Sequence, residues 1–247
     1  MNERENKDGQ GLQQFTLPES LSQSLIRYLE TEIIEGRLAP GSRLVPEELA
    51  KQLGVSKSPV REALVTLVNE GLVTSIPRVG FFVAEIDLED IENIYPIRAA
   101  LYALCFRTIL NNGYEPAFLE NLDQIIAEME ERIAAQDTLG YFHANVRLYN
   151  FFLDSCGNEQ LVKIIRQLGK KVLRFRFLTL SVPEHTRKSM ARHRELAAAL
   201  KRNDRDRAVK IAEEIIYSAL EVLREHLKDK SRKVDFARDL RVKEVFT

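Results

Sequence analysis

Two cysteines in 247 residues supply no disulfide framework, and a chain with so few is expected in a reducing cytoplasm. No long hydrophobic run is present. The longest, Ala99 to Phe106, is closed by Arg98 and Arg107 and falls far short of the ~18 apolar residues that suggest a membrane span. The opening MNERENKDGQG has no apolar core of the kind a secretory leader needs. An excess of charge is missing too: 36 Lys and Arg stand against 37 Asp and Glu, a net charge of −1. That balance excludes a protein that coats nucleic acid by bulk positive charge, though not one with a local basic patch. Nor do paired carboxylates, a phosphate-binding loop or a metal-ligand cluster appear, so an enzyme built on His193 and Tyr149 as acid and base would lack the rest of its machinery.

What remains is a soluble, core-forming composition of 45% hydrophobic residues. Residues 1–14 are polar with almost nothing to bury and are expected to form a flexible arm. From Pro18 to Glu35 the apolar positions Leu21, Leu25, Tyr28 or Leu29, and Ile33 recur at helical spacing, and Gly36 stops the helix. Pro46 to Leu53 reads as a short helix ended by Gly54, and a second helix runs from about Ser58 to Gly71 with Val60, Leu64, Leu67 and Val68 on one stripe. Ser56 or Ser58 is free to cap it. Two β-prone runs, Leu72 to Ile76 and Phe81 to Ile86, flank Pro77-Arg78-Val79-Gly80 and predict a hairpin.

Beyond Ile86 only helical stripes appear, with Asp87 and Asp90 resembling a capping box at the first. The expected helices are Leu88 to Asn111 interrupted at Pro96, Pro116 to Gln136, Tyr141 to Ser155, Gln160 to Leu180, Pro183 to Arg202 and Asp206 to Leu227. The fold class is therefore mainly α: an N-terminal winged helix-turn-helix domain over residues 15–86, and an all-α antiparallel bundle over 87–228. Residues 229–247 form a weakly periodic tail.

Helix, tight turn, helix and hairpin is the plan in which the second helix enters the DNA major groove. The residues at its N-terminal end are Ser56, Lys57, Ser58 and Arg61. Their hydroxyls suit phosphate oxygens, and the two cations suit guanine O6 and N7 or phosphate. Arg78, at the hairpin tip, is placed to reach the flanking duplex. Between residues 16 and 85 seven bases meet nine acids, a sum of −2, but four acids lie in the first helix and the bases crowd the turn, the second helix and the wing. A small footprint with modest nonspecific affinity is expected.

The string GRLAPGSRLVPEELAKQLGVSKSPVREALVTLVNEGLV resembles the N-terminal domain of the GntR superfamily of bacterial transcription regulators. The resemblance implies that Arg43 and Arg61 contact DNA, assisted by Ser56, Lys57, Ser58 and the wing around Arg78 and Gly80. Lys57 stands where the family usually has arginine, which keeps the charge but loses the bidentate fork. The second half is similar to the FadR subfamily, whose FCD domain binds an effector inside a helical bundle and makes the dimer. Asp90, Ile94 and Arg98, then Cys156-Gly157-Asn158, then the run from His193 to Asp204 carry that likeness.

Many members of that subfamily hold a divalent metal, and their four ligand positions fall here on Asn145, Tyr149, His193 and Ile215. One ligand type in four predicts no metal site and no cofactor. His143 lies out of that register and is expected to be a surface or half-buried histidine. Asn145 and Tyr149 share a face with Phe142 and Phe152, and His193 sits between Met190 and Leu196 on an inward stripe. With Arg98, Tyr102, Tyr217 and Arg174 they are the candidate lining of an effector pocket, and Arg176 is a further candidate. Tyr102 replaces the acid often found four residues after the arginine, leaving Arg98 free for an anionic ligand. The expected partners are a palindromic double-stranded DNA operator, a small-molecule effector and a second copy of the chain. A constitutive DNA-binding dimer with no effector remains the alternative.

Overall fold

The computed structural model describes residues 20–228. The arm expected over 1–14, the first residues assigned to the DNA-binding domain and the tail over 229–247 lie outside the described residues.

The N-terminal part comprises α1 (Leu21–Ile34), β1 (Arg43–Leu44), α2 (Pro46–Leu53), α3 (Lys57–Asn69), β2 (Val73–Ile76) and β3 (Gly80–Val83). Ser20 opens α1 with a capping box: its hydroxyl accepts from Gln23 N–H while the Gln23 side chain accepts from Ser20 N–H. Leu25, Leu29 and Ile33 then face Val60, Ala63, Leu64 and Leu67 of α3 in one buried cluster. The sheet order is β1-β3-β2, with Arg43 opposite Phe82 and Leu44 opposite Phe81. The first strand was not expected. At two residues it is too short to show any alternation, and only its partner β3 makes it a strand.

Gly54 closes α2 with φ +67°, a left-handed conformation that starts the turn into α3. No atom lies within 4 Å of where its Cβ would be, so a side chain there meets strain and no clash. Gly54→Ala is expected to lower stability by about 1 kcal/mol. A urea midpoint equal to that of the wild type would count against the turn geometry.

Seven helices follow: α4 (Leu88–Asn112), α5 (Pro116–Ala134), α6 (Thr138–Asp154), α7 (Glu159–Gln167), α8 (Gly169–Leu180), α9 (Pro183–Lys201) and α10 (Arg205–Lys228). Three expectations are corrected here. Helix α4 runs unbroken through Pro96, because Ile91, Tyr95, Ala99 and Tyr102 bury one continuous face on both sides of the proline. The run from Gln160 to Leu180 is two helices. Gly169 opens α8 beyond Leu168, and α8 is buried on nearly all sides whereas α7 buries only Leu161 and Ile165. The capping box at Asp87 is half formed: Asp87 accepts from Glu89 N–H at 3.1 Å, while Asp90 reaches Lys171 instead.

The bundle core holds the two free thiols, Cys105 and Cys156, both fully buried. Helix α8 joins the two parts. Lys170 bridges to Glu30 of α1 at 2.9 Å and to Glu70 at the end of α3 at 2.7 Å, and Arg174 donates to the carbonyl of Ala84. Ile34, the last residue of α1, packs into the bundle's core. Beside it the half-exposed His143, expected as a surface or half-buried histidine, lies 3.5 Å from the buried carboxylate of Glu35 in the DNA-binding part. Among the described residues no helix is long and apolar enough to cross a membrane.

Candidate functional site

The first surface is the N-terminal end of α3. Ser56 has the backbone geometry of a cap, yet its side chain caps nothing, which leaves the hydroxyl and the first amides of α3 facing outward. Ser56, Lys57, Ser58 and Arg61 are all exposed. Lys57 pairs with Glu47 and Ser58 donates to Glu62 at 3.3 Å, contacts of exposed groups that cost little to break. Arg61 forms no ion pair among the described residues. Arg43 has a structural duty: its Nη2 donates to the carbonyl of Val79 at 2.9 Å and ties β1 to the wing tip. Gly80 has φ +133°, a conformation that favours glycine, and a Cβ there would make only an ordinary contact, 3.7 Å from Arg43 Nε. Arg78 stands exposed at the tip with φ +64°. Of the seven expected DNA-facing residues, Ser56, Lys57, Ser58 and Arg61 are exposed at the start of α3, Arg43 and Arg78 are exposed on β1 and at the wing tip, and Gly80 is half-buried beside Arg43.

The second site lies inside the bundle. Arg98, Asn145, Tyr149 and His193, from α4, α6 and α9, line one cavity with Arg176 and Thr179 of α8 and Ile215 of α10. The cavity is about 20 Å³, room for a water. Two guanidiniums dominate it. Arg98 is 5% exposed and lies 5.4 to 5.6 Å from the rings of Tyr95, Tyr102 and Tyr149, and Arg176, 8% exposed, stands 4.0 Å above the Tyr149 ring. Neither has a carboxylate partner among the described residues. Burial, and then the like charge of Arg98, push the Arg176 guanidinium below its usual pKa.

The imidazoles are held neutral. Burial brings His193 down to about 4, a hydrogen bond to the Ser189 backbone opposes the shift, and Arg176 adds to it. His185, one face of α9 earlier, is also brought to about 4, by burial first and by Lys188 and His226 next. His193 Nδ1 lies 2.8 Å from the Ser189 carbonyl, which only accepts, so Nδ1 carries the proton and Nε2 is a bare acceptor. That Nε2 and His185 Nδ1 have no hydrogen-bond partner among the described residues. Unmet polar atoms around a small void ask for a ligand or water.

Three expected residues, Tyr217, Arg174 and Tyr102, do not line this cavity. Tyr217 is 44% exposed, because the inward stripe of α10 runs through Ile211, Ala212, Ile215, Ile216 and Leu220 and leaves Tyr217 on the outer side. Arg174 is engaged with Ala84, and its burial lowers the guanidinium pKa to about 10; two residues along a helix separate it from the cavity face that Arg176 occupies. Tyr102 is buried against Tyr149, with ring centroids 5.0 Å apart. Sequence reasoning missed Tyr95, Thr179, His185 and Ser189. A signal existed for two of them, since His185, Ser189 and His193 recur every four residues on one helix face. The family's four metal positions do converge, but Asn145, Tyr149 and Ile215 are poor ligands, and among the described residues no three His, Cys, Asp or Glu side chains are grouped to hold an ion.

A three-helix reader with a wing, followed by a seven-helix bundle with a small cavity between its helices, has the plan of a DNA-binding transcription regulator. Residues 21–83 match the family described as "Bacterial regulatory proteins, gntR family", and residues 93–218 match the FCD domain. The chain belongs to the GntR family of transcription regulators and carries an FCD domain; it is not an enzyme. Similar proteins include the Bacillus subtilis regulator YdhC, 26% identical over 73% of this chain and 80% of that one. The probable D-xylose utilization operon transcriptional repressor of Paenarthrobacter nicotinovorans is 30% identical over 59% of this chain and 64% of that one. The solved structure of Escherichia coli McbR/YncC has the same fold, with a TM-score of 0.73 at 24% identity, covering 85% of this chain and all of that one.

Proposed function

We propose that the protein is a cytoplasmic, metabolite-responsive repressor that binds a palindromic operator as a homodimer and is released by a small anionic effector. One observation carries the effector: Arg98 and Arg176 are buried together beside tyrosine rings with no acid to neutralise them. A carboxylate accepting from both would supply the missing charge and hydrogen bonds. In this reading residues 20–86 read DNA and the bundle senses the ligand. Helix α8 connects them, with Arg176 in the cavity and Lys170 and Arg174 on the reader. Dimerisation is supported by an exposed apolar strip on α4, where Ile97 and Leu104 are 52% and 44% exposed.

Anisotropy of a fluorescent duplex, recovered by selection from random DNA, tests the reading. Arg61→Ala is expected to weaken operator binding by about 1–3 kcal/mol, roughly ten- to a hundredfold, without changing the circular dichroism. Organic acids are expected to release the wild type. The small size of the inner void favours the constitutive dimer instead, and undiminished operator affinity across an acid series would establish that alternative.

A further inference from the structure

On the other side of Arg98, Tyr149 and Arg176 lies a second, larger chamber of about 250 Å³ between α4, α6, α7 and α8, open to solvent past the exposed Asn150 and Arg166. Arg98, Tyr149 and Arg176 border both spaces. Its inner surface is mostly aliphatic, from Leu101, Val146, Leu153, Ile165, Val172 and Leu173, and its polar rim includes Lys170 and Glu30. A void of 150 Å³ lined by apolar side chains accepts a benzene ring. This chamber therefore has room for a ring with a short chain, or for an alkyl chain of medium length. A small polyanion such as a dicarboxylate would leave its aliphatic walls uncovered and would bring a second charge against them.

We infer that the effector is an amphipathic monocarboxylate, its head on Arg98 and Arg176 and its apolar body in the chamber between α4, α6, α7 and α8. This deepens the anionic-effector reading above and rests on it. The body lies against the first turn of α8, which Lys170 ties to Glu30 of α1 and Glu70 of α3. One ligand thus touches the guanidinium pair and the ionic link to the DNA-reading part, which gives it purchase on the reader's position.

The test titrates the full-length protein with 3-phenylpropionate and octanoate, with acetate, malonate and citrate, and with the uncharged 3-phenylpropanamide, reading binding by calorimetry and operator release by anisotropy. The two amphipathic acids are expected to bind at least about a hundredfold more tightly than acetate, from the apolar area they bury. They should also exceed both polyacids, and the amide should lose most of the affinity. Leu173→Trp and Val146→Phe, which fill the chamber, are each expected to weaken phenylpropionate binding at least tenfold. The wild-type series decides the matter even where a variant fails to fold. Malonate or citrate binding as tightly as the amphipathic acids, with operator release, overturns the apolar chamber and leaves the anionic effector standing. An amide that binds as well as its acid overturns the anionic reading itself, and absence of binding by every acid at millimolar concentration overturns both.

Discussion

Between pH 6.5 and pH 4 the protein is expected to lose several kcal/mol of stability through His185 and His193 alone. Both rings have their folded-state pKa lowered from 6.5 to about 4, chiefly because burial penalises the imidazolium. In that window the unfolded chain takes up a proton at each ring that the folded chain refuses. Stability therefore rises with pH across it, is fully present above 6.5, and falls as acid is added until both states are protonated near 4. A shift of this size is worth about 3 kcal/mol for each ring. Among the described residues no carboxylate faces either ring to rescue the charged form; Arg176, Lys188 and His226 all add positive charge. Urea midpoints through the window give the slope. The double variant His185→Gln/His193→Gln separates the histidines from the carboxylates that also titrate at the acid end. Equal slopes for the two proteins would falsify the assignment.

Arg176→Met is expected to stabilise the protein by about 1–4 kcal/mol while abolishing its response to acids. The side chain is 8% exposed, its charge is opposed by Arg98, and its compensation comes from Tyr102, Tyr149 and Tyr95, with the Tyr149 ring 4.0 Å away. A desolvated cation–π contact is worth about 2 kcal/mol, less than the cost of an enclosed, unpaired charge. Methionine keeps the length and the apolar volume and removes the charge, which also relieves Arg98. A gain in stability on removing a functional group is the signature of a site built for a ligand that supplies the missing partner. The urea midpoint and the acid-induced release of operator are the two readouts. A variant less stable than the wild type would mean that the guanidinium is satisfied within the fold, and the anionic effector would lose its main support.

How legible these features are in the sequence depends on how local their causes are. The reader is written in short-range signals: Pro46 in a first turn, Gly54 after the last, the Val60-Leu64-Leu67 stripe, and the hairpin tip at Arg78 and Gly80. Its missed strand, Arg43–Leu44, has no signal of its own and exists through pairing with residues nearly forty positions away. In the bundle, apolar period located most helices but misjudged Pro96, where a long buried face outweighs one lost hydrogen bond, and Leu168, where a change of buried face breaks what looks like one stripe.

The cavity separates the two kinds of information more sharply. Asn145, Tyr149 and His193 could be nominated as polar groups on apolar stripes, and Arg98 through the resemblance to the FadR subfamily. Choosing Arg176 over Arg174, or excluding Tyr217, needs the rotation of α8 and α10 about their axes, which packing against their neighbouring helices sets. The near-zero net charge and the scarcity of cysteine and long apolar runs were enough to exclude whole classes of protein, and local motif chemistry was enough to determine a DNA reader followed by a helical bundle. Only the tertiary structure decided that two cations share one enclosed space without an acid, because the distance between side chains on different helices is a property of the packed core and of no single segment.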